Sequence, residues 1–169
     1  MTDVKGARLV QGYATGLLGR MTLMEALYYD EKWQLGPAFE AVIASGLAEF
    51  FSRFDDARDT IFRVVTEQEP IAMGTLALDV GGRENPGEGA LRWFFLHPEL
   101  HGLGLGKRLM EAVLSHAQGI GLSEVVVETF EGLDSAIAIY EAFGFQLEDR
   151  WEGAQWGRIL PERRYRLVL

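Results

Sequence analysis

Residues 91–130 read as strand, glycine-rich turn, helix and strand in immediate succession. They run through "LRWFFL" (91–96), "HPELHGLGLG" (97–106), a helix-forming run to about Gln118, and "SEVVVETF" (123–130). Such a unit closes with its two strands parallel and adjacent, because the crossover helix packs back on the sheet with a right-handed sense. The helix, from about Gly104 to Gln118, carries Leu105, Leu109, Val113 and Ala117 at four-residue spacing as one apolar stripe. Gly119 and Gly121 can end it.

The rest of the chain builds around that unit. "RLVQGY" (8–13) predicts a short strand, and a helical pattern follows from about Leu17 to Trp33. A second helix starts at Gly36-Pro37, with proline in the first turn, and runs to about Phe51. "TIFRVVTEQ" and "IAMGTLALDV" read as two strands joined by a tight turn near Glu69-Pro70, and "GGRENPGEGA" (81–90) reads as a loop. Downstream, Asp134 is placed to cap the helix "SAIAIYEAF". Two last strands lie near "FQLEDRW" and "RRYRLVL"; in the second, Tyr165, Leu167 and Leu169 alternate with Arg164, Arg166 and Val168. The expected class is α+β, an α/β mixed sheet with helices on both faces, in one domain over residues 1–169.

Composition narrows the chemistry. Without cysteine there is no disulfide framework, thiolate nucleophile or Cys-based metal site. His97, His101 and His116 do not form the His-Glu-x-x-His spacing of a helical zinc site, so no metal is expected. A net charge of −9 opposes non-specific nucleic-acid binding and would favour a cationic substrate, although solubility is its simpler explanation. The opening "MTDVKGARLV" has no apolar run suited to a leader or a membrane span, which predicts a cytoplasmic protein.

The glycine run is the feature with chemical content. A strand that ends in a glycine-rich turn and opens a helix gathers unpaired backbone N–H groups and the positive end of the helix dipole, which suits an anion. Glycines that merely turn the chain are the alternative. The P-loop pattern fails twice, because His101 stands where its first glycine belongs and Arg108 follows Lys107. The dinucleotide pattern Gly-x-Gly-x-x-Gly fails at Lys107 counted from Gly102 and at Leu109 counted from Gly104.

"HPELHGLGLGKRLM" resembles the acetyl-CoA-binding turn of the GCN5-related N-acetyltransferases (GNAT), with Leu96, Pro98, Gly104 and Gly106 matching and His101 where that family usually has Gln or Arg. "AIAIYEAFGF" (136–145) is similar to the family's second signature, Ala-x-x-x-Tyr-x-x-x-Gly-Phe, at the expected distance. "QWGR" and "GLLGRMTLMEALYYDEKW" look most like bacterial members that can be fused to a MarR-type regulator; a free-standing domain is expected here.

The resemblance implies the GNAT acyl-CoA N-acyltransferase fold and acetyl transfer from acetyl-CoA, with no metal, to a primary amine of a small molecule or protein. It implies that the backbone at Phe94, Phe95 and Leu96 pairs with the pantetheine arm. The N–H groups from His101 through Gly102, Leu103, Gly104, Leu105 and Gly106 to Lys107 would hold the pyrophosphate. Tyr140 falls at the general-acid position; periodicity alone would make it core. The family gives no fixed base, and Glu128 is the choice here, with Glu131 or a water chain as alternatives. Tyr28, Tyr29 and Trp33 fall where the family shapes its acceptor pocket, and they would equally serve as a packing face. A homodimer is suggested only by its frequency in the family. The competing reading is a non-catalytic acyl-CoA sensor domain.

Overall fold

The computed structural model describes residues 6–169; residues 1–5, within the stretch from which no leader is expected, lie outside them. The elements are β1 (Arg8–Gln11), α1 (Leu17–Trp33), α2 (Gly36–Ser52), β2 (Thr60–Val65), β3 (Gly74–Asp79) and β4 (Glu88–Leu96). A 3-10 turn (Pro98–Leu100) then leads to α3 (Leu105–Gly119), β5 (Glu124–Phe130), α4 (Asp134–Ala142), β6 (Gln146–Gly153) and β7 (Leu160–Val168). The strands form one sheet in the order β1-β2-β3-β4-β5-β7-β6. Every neighbouring pair is antiparallel except β4 and β5, which run parallel as the crossover unit requires.

Two apolar clusters cover the two faces. On one, α3 and α4 bury Leu105, Leu109, Val113, Ala117, Ile137 and Tyr140 with strand residues such as Leu76 and Val125. On the other, α1 and α2 bury Leu17, Met21, Phe39, Leu47 and Phe50 against Ile61, Ala77 and Trp93. The α3 stripe is therefore core, and the helix ends as its glycines predict. Leu122 N–H donates to Ala117 O at 3.1 Å and Gly121 N–H to Gln118 O at 3.0 Å, the paired bonds of a glycine-terminated helix.

Two local expectations need correction. The loop 81–90 is shorter than its composition indicates, because β4 begins at Glu88, which pairs with Glu124 of β5 and whose buried carboxylate binds Arg83 and Arg166. Asp134 does not cap α4: Leu133 holds that position without a side-chain bond, and Asp134 is the first helical residue, where its charge faces the positive end of the helix dipole.

The sheet is interrupted where the site lies. Pairing between β4 and β5 covers only Glu88–Leu91 with Glu124–Val127. Beyond Leu91, β4 follows β3 while β5 follows β7, and the two strands part. At the same point β4 carries an extra residue, since Thr75 pairs with Phe95 but Ala77 pairs with Arg92. Trp93 takes the strain of this bulge at φ 52°, and the Thr75 hydroxyl donates to its carbonyl at 2.8 Å. Strict alternation would put Trp93 on the face of Leu91. The bulge turns it to the α1–α2 face beside Arg92, whose guanidinium lies 4.1 Å from the Trp93 ring centroid.

Candidate active site

The parted strands open into two adjoining cavities that share Tyr29, Phe94, Leu133 and Ala136. The larger, of about 500 Å³, lies against the glycine turn. It is lined by Phe94, Phe95, Leu96, His101, Gly102, Gly104, Leu105, Gly106 and Lys107, all of them residues expected at a cofactor. Leu103, expected with them, is half exposed and does not line it.

Each feature of the turn has a local cause. Gly104 caps α3 at φ 73°, a conformation that costs a side-chain-bearing residue about 1–2 kcal/mol. The first bond at the head of the helix runs from Arg108 N–H to Gly104 O at 3.2 Å, so the preceding N–H groups point out of the helix end. A methyl group on Gly104 would meet nothing within 4 Å and would project into open space at that end. Gly106 answers a packing demand instead, because a methyl group there would stand 2.9 Å from Ile139 Cδ1 and 3.5 Å from Phe94 Cζ. The His101 ring nitrogen Nε2 lies 2.8 Å from Leu96 O, so in the Nε2–H tautomer it ties the turn to the end of β4. This cradle fits a pyrophosphate in shape and in donor content. Gly104→Ala is expected to weaken acetyl-CoA binding about tenfold, by strain and by the added methyl together; calorimetric titration with acetyl-CoA measures it.

The smaller cavity, of about 340 Å³, lies on the other side of the bulge. Its aromatic lining includes Tyr29, Phe39, Trp93, Phe130 and Trp156, and Tyr140 and Glu128 also face it. Of the residues expected at an acceptor, Tyr29 lines both cavities, whereas Tyr28 and Trp33 line only the larger one. Tyr28 meets Phe95 edge-on at 5.5 Å and Trp33 meets Phe130 edge-on at 5.5 Å, so all three also belong to the packing of α1. Tyr140 is 3% exposed and packs at about 6 Å between ring centroids on Phe94, Phe145 and Tyr165. Tyr140 is therefore core, and it also lines the cavity. Burial, with smaller contributions from Glu25 and Tyr165, pushes its phenol well above the ordinary value, so it stays protonated at neutral pH.

The carboxylates of this cavity differ in their partners. Asp79 accepts from Arg53 at 2.7 and 2.9 Å and from Arg92 at 2.9 Å. Burial works to raise its carboxyl, but hydrogen bonds from Arg53, Arg92 and the Gly82 N–H outweigh that and hold it below the ordinary value. Glu128 sits 3.5 Å from Arg164 and accepts from Gln155 at 3.3 Å, with a partly exposed side chain. Glu131 pairs with Arg163 at 3.4 Å and does not line the cavity.

Glu25 was not expected. It is 5% exposed, its Oε1 has no hydrogen-bond partner, and burial pushes its carboxyl up to about 8. A signal for it exists in the sequence: Leu17, Met21, Glu25 and Tyr29 follow at four-residue spacing, so one acid interrupts the buried stripe of α1. Trp93 and Trp156 carry no comparable signal, since an aromatic in a strand or a loop reads as packing. Among the described residues, no group of three or more His, Cys, Asp or Glu side chains is arranged to hold a metal ion. Nor is any described helix long and apolar enough to cross a membrane.

Residues 23–145 match the Acetyltransferase (GNAT) family. An uncharacterized N-acetyltransferase of Schizosaccharomyces pombe is 29% identical over 86 residues, 51% of this chain and 52% of that protein. The chain thus spans about half the length of that curated relative. Among solved structures, an acetyltransferase of Streptococcus agalactiae superposes with a TM-score of 0.73 over 98% of this chain and 99% of that one, at 17% identity. A phosphinothricin acetyltransferase of Sinorhizobium meliloti, solved in complex with AcCoA, superposes with a TM-score of 0.71 over 96% and 88%, at 18% identity. At these identities the structural likeness establishes the fold alone.

Proposed function

Because the chain belongs to the Acetyltransferase (GNAT) family, we propose that it transfers an acetyl group from acetyl-CoA to a primary amine by direct attack on the thioester. The observation that carries this reading is the parting of β4 and β5 into two cavities that meet at Phe94 and Ala136. Two substrates entering from opposite sides would meet there, which is the arrangement that direct transfer needs.

Acetyl-CoA supplies the activated carbonyl, and the protein supplies position and protons. The N–H groups from Gly102 to Lys107 hold the pyrophosphate at the head of α3, with Lys107 adding positive charge beside it; the His101 N–H, expected among them, donates to Pro98 O at 3.1 Å instead. Past Leu91, the side of β4 turned away from β3 is left without strand pairing to β5, so the backbone of Phe94–Leu96 is available to pantetheine amides. An N–H of this edge also serves the oxyanion. Tyr140 donates a proton toward the departing sulfur. Glu128, at the partly exposed side of the acceptor cavity, presents a carboxylate to an arriving ammonium.

Two measurements test the reading together: thiol release from acetyl-CoA over a panel of amines and polyamines, and a thermal shift with CoA. Both are expected to be positive. Stabilisation by CoA with no thiol release on any amine would favour the sensor reading, and no shift with CoA would remove both. Tyr140→Phe is expected to lower kcat about 100-fold, within the range for loss of a positioned acid, while acetyl-CoA affinity changes less than twofold. Undiminished turnover would take Tyr140 out of this role.

A further inference from the structure

Four carboxylates line the smaller cavity: Glu25, Glu49, Asp79 and Glu128. Three of them meet an arginine of the protein, namely Glu49 with Arg53, Asp79 with Arg53 and Arg92, and Glu128 with Arg164. Glu25 has none, and it is the most buried of the three glutamates, with Oε1 unpartnered. A buried carboxylate without a donor costs stability, and such a group persists where a ligand provides what the fold does not. The missing partner is a cation with hydrogen-bond donors. Part of the cavity wall is built of rings, including Tyr29, Phe39, Phe130 and Trp156, whose faces also favour a cation and whose edges suit an apolar body.

We propose that Glu25 is a catalytic residue of the transfer: it binds the acceptor's ammonium group and takes its proton, and the acceptor is a primary amine carried on an apolar, ring-sized body. This rests on the acetyltransferase reading. Glu25 accepts one proton from the ammonium group. The freed nitrogen lone pair forms the C–N bond to the acetyl carbonyl carbon, and the C–S bond breaks with its electron pair going to sulfur. A second N–H proton passes to that sulfur through Tyr140, and Glu25 releases its proton to solvent. Glu128, already held by Arg164 and Gln155, presents charge at the entrance.

The neighbouring titratable groups are few. Tyr28 and Tyr29 come from the same helix, Tyr140 from α4 and Glu128 from β5. The charges of Glu49, Arg53, Asp79 and Arg92, contributed by α2 and the residue that caps its end, β3 and β4, are paired among themselves, and Arg83 is paired with Glu88. Burial is the cause that raises the Glu25 carboxyl, and the same burial would make an incoming ammonium lower it again.

The test uses the full chain and its Glu25→Gln variant. Both are expected to bind acetyl-CoA within twofold of each other by calorimetry. Failure of the unaltered protein to bind it would overturn the acetyltransferase reading, and this inference with it. In protein labelled with 13C at the glutamate carboxyls and saturated with CoA, the Glu25 signal is identified by its loss in Glu25→Gln. Benzylamine at pH 7 is expected to move that signal toward the ionised position at lower concentration than ethanolamine does. An unmoved signal overturns the role of Glu25, and an equal response to ethanolamine overturns the apolar acceptor. In thiol release with benzylamine, Glu25→Gln is expected to lower kcat/KM about 100-fold at pH 7, with the gap narrowing as the free amine becomes abundant above pH 9. A deficit that is constant with pH marks a structural role and overturns the proposal. The carboxyl signal decides the case where benzylamine binds without turnover.

Discussion

Glu25→Gln is expected to make the protein more stable at pH 8 and less stable near pH 4. The folded protein holds the Glu25 carboxyl near 8, whereas the unfolded chain returns it to the ordinary 4.5. Below pH 4.5 both states are protonated and the residue carries no ionisation penalty. As pH rises from 4.5 to 8 the unfolded chain ionises first, so stability is lost across that interval and the loss levels off above it. A displacement of this size corresponds to about 5 kcal/mol. Glutamine removes the ionisation, but its buried amide is short of partners at every pH, which costs about 2 kcal/mol; the expected net is a loss of about that size near pH 4 and a gain of about 2–3 kcal/mol at pH 8. For a chain of this length the gain at pH 8 is a rise in Tm of about 5–10 °C. Thermal unfolding of both proteins at pH 4, 6 and 8 measures the difference, from which other titrating groups cancel. A Tm difference that does not change with pH would show that Glu25 does not titrate differently in the folded state. A variant that is more stable and also slower would identify Glu25 as a residue kept for chemistry at the expense of the fold.

The same residue shows what the sequence could and could not carry. Periodicity found the α3 stripe because Leu105, Leu109, Val113 and Ala117 have no polar member, and all four are buried. The α1 stripe was equally regular, but Glu25 within it reads as the edge of a solvated face unless the burial on both sides is known. The bulge at Trp93 was hidden for a different reason. "WFFL" is apolar at every position, so there is no alternation for an extra residue to disturb. The start of β4 at Glu88 depends on Arg166, which lies 78 positions away in sequence, and composition around Glu88 reads as loop. The glycine turn was legible because its requirements are local: a left-handed cap at Gly104 and no room for a side chain at Gly106. The acceptor cavity was not, because its walls come from α1, α2, β3, β4, β5, α4 and the loop between β6 and β7.

That last loop sets the second large expectation. Gly157 sits at φ 84°, and a methyl group there would come within 2.7 Å of Ala38 Cβ, 2.9 Å of Ala38 C and 3.1 Å of Phe39 N. The obstacle includes backbone in the first turn of α2, so no rotamer change relieves it. The loop is also fixed to the end of α1, where Arg158 donates to Trp33 O at 2.7 Å. These two attachments hold Trp156 against Phe130, with ring centroids 5.2 Å apart, as a wall of the acceptor cavity. Gly157→Ala is therefore expected to cost about 3–4 kcal/mol, the sum of a left-handed backbone penalty and an overpacking penalty. Its Tm should fall by about 6–12 °C. Gly12→Ala separates the two contributions, because Gly12 has φ 94° but a methyl group there would meet nothing within 4 Å. It should cost only the backbone part, about 1–2 kcal/mol. Equal losses in the two variants would mean that the loop yields and that contact with α2 is not what holds it. In Gly157→Ala the KM for the amine should rise while acetyl-CoA affinity is retained, since the Gly102–Lys107 cradle lines the other cavity. Weakening of both together would mean that the damage spreads through α1, whose Tyr29 lines the two cavities at once.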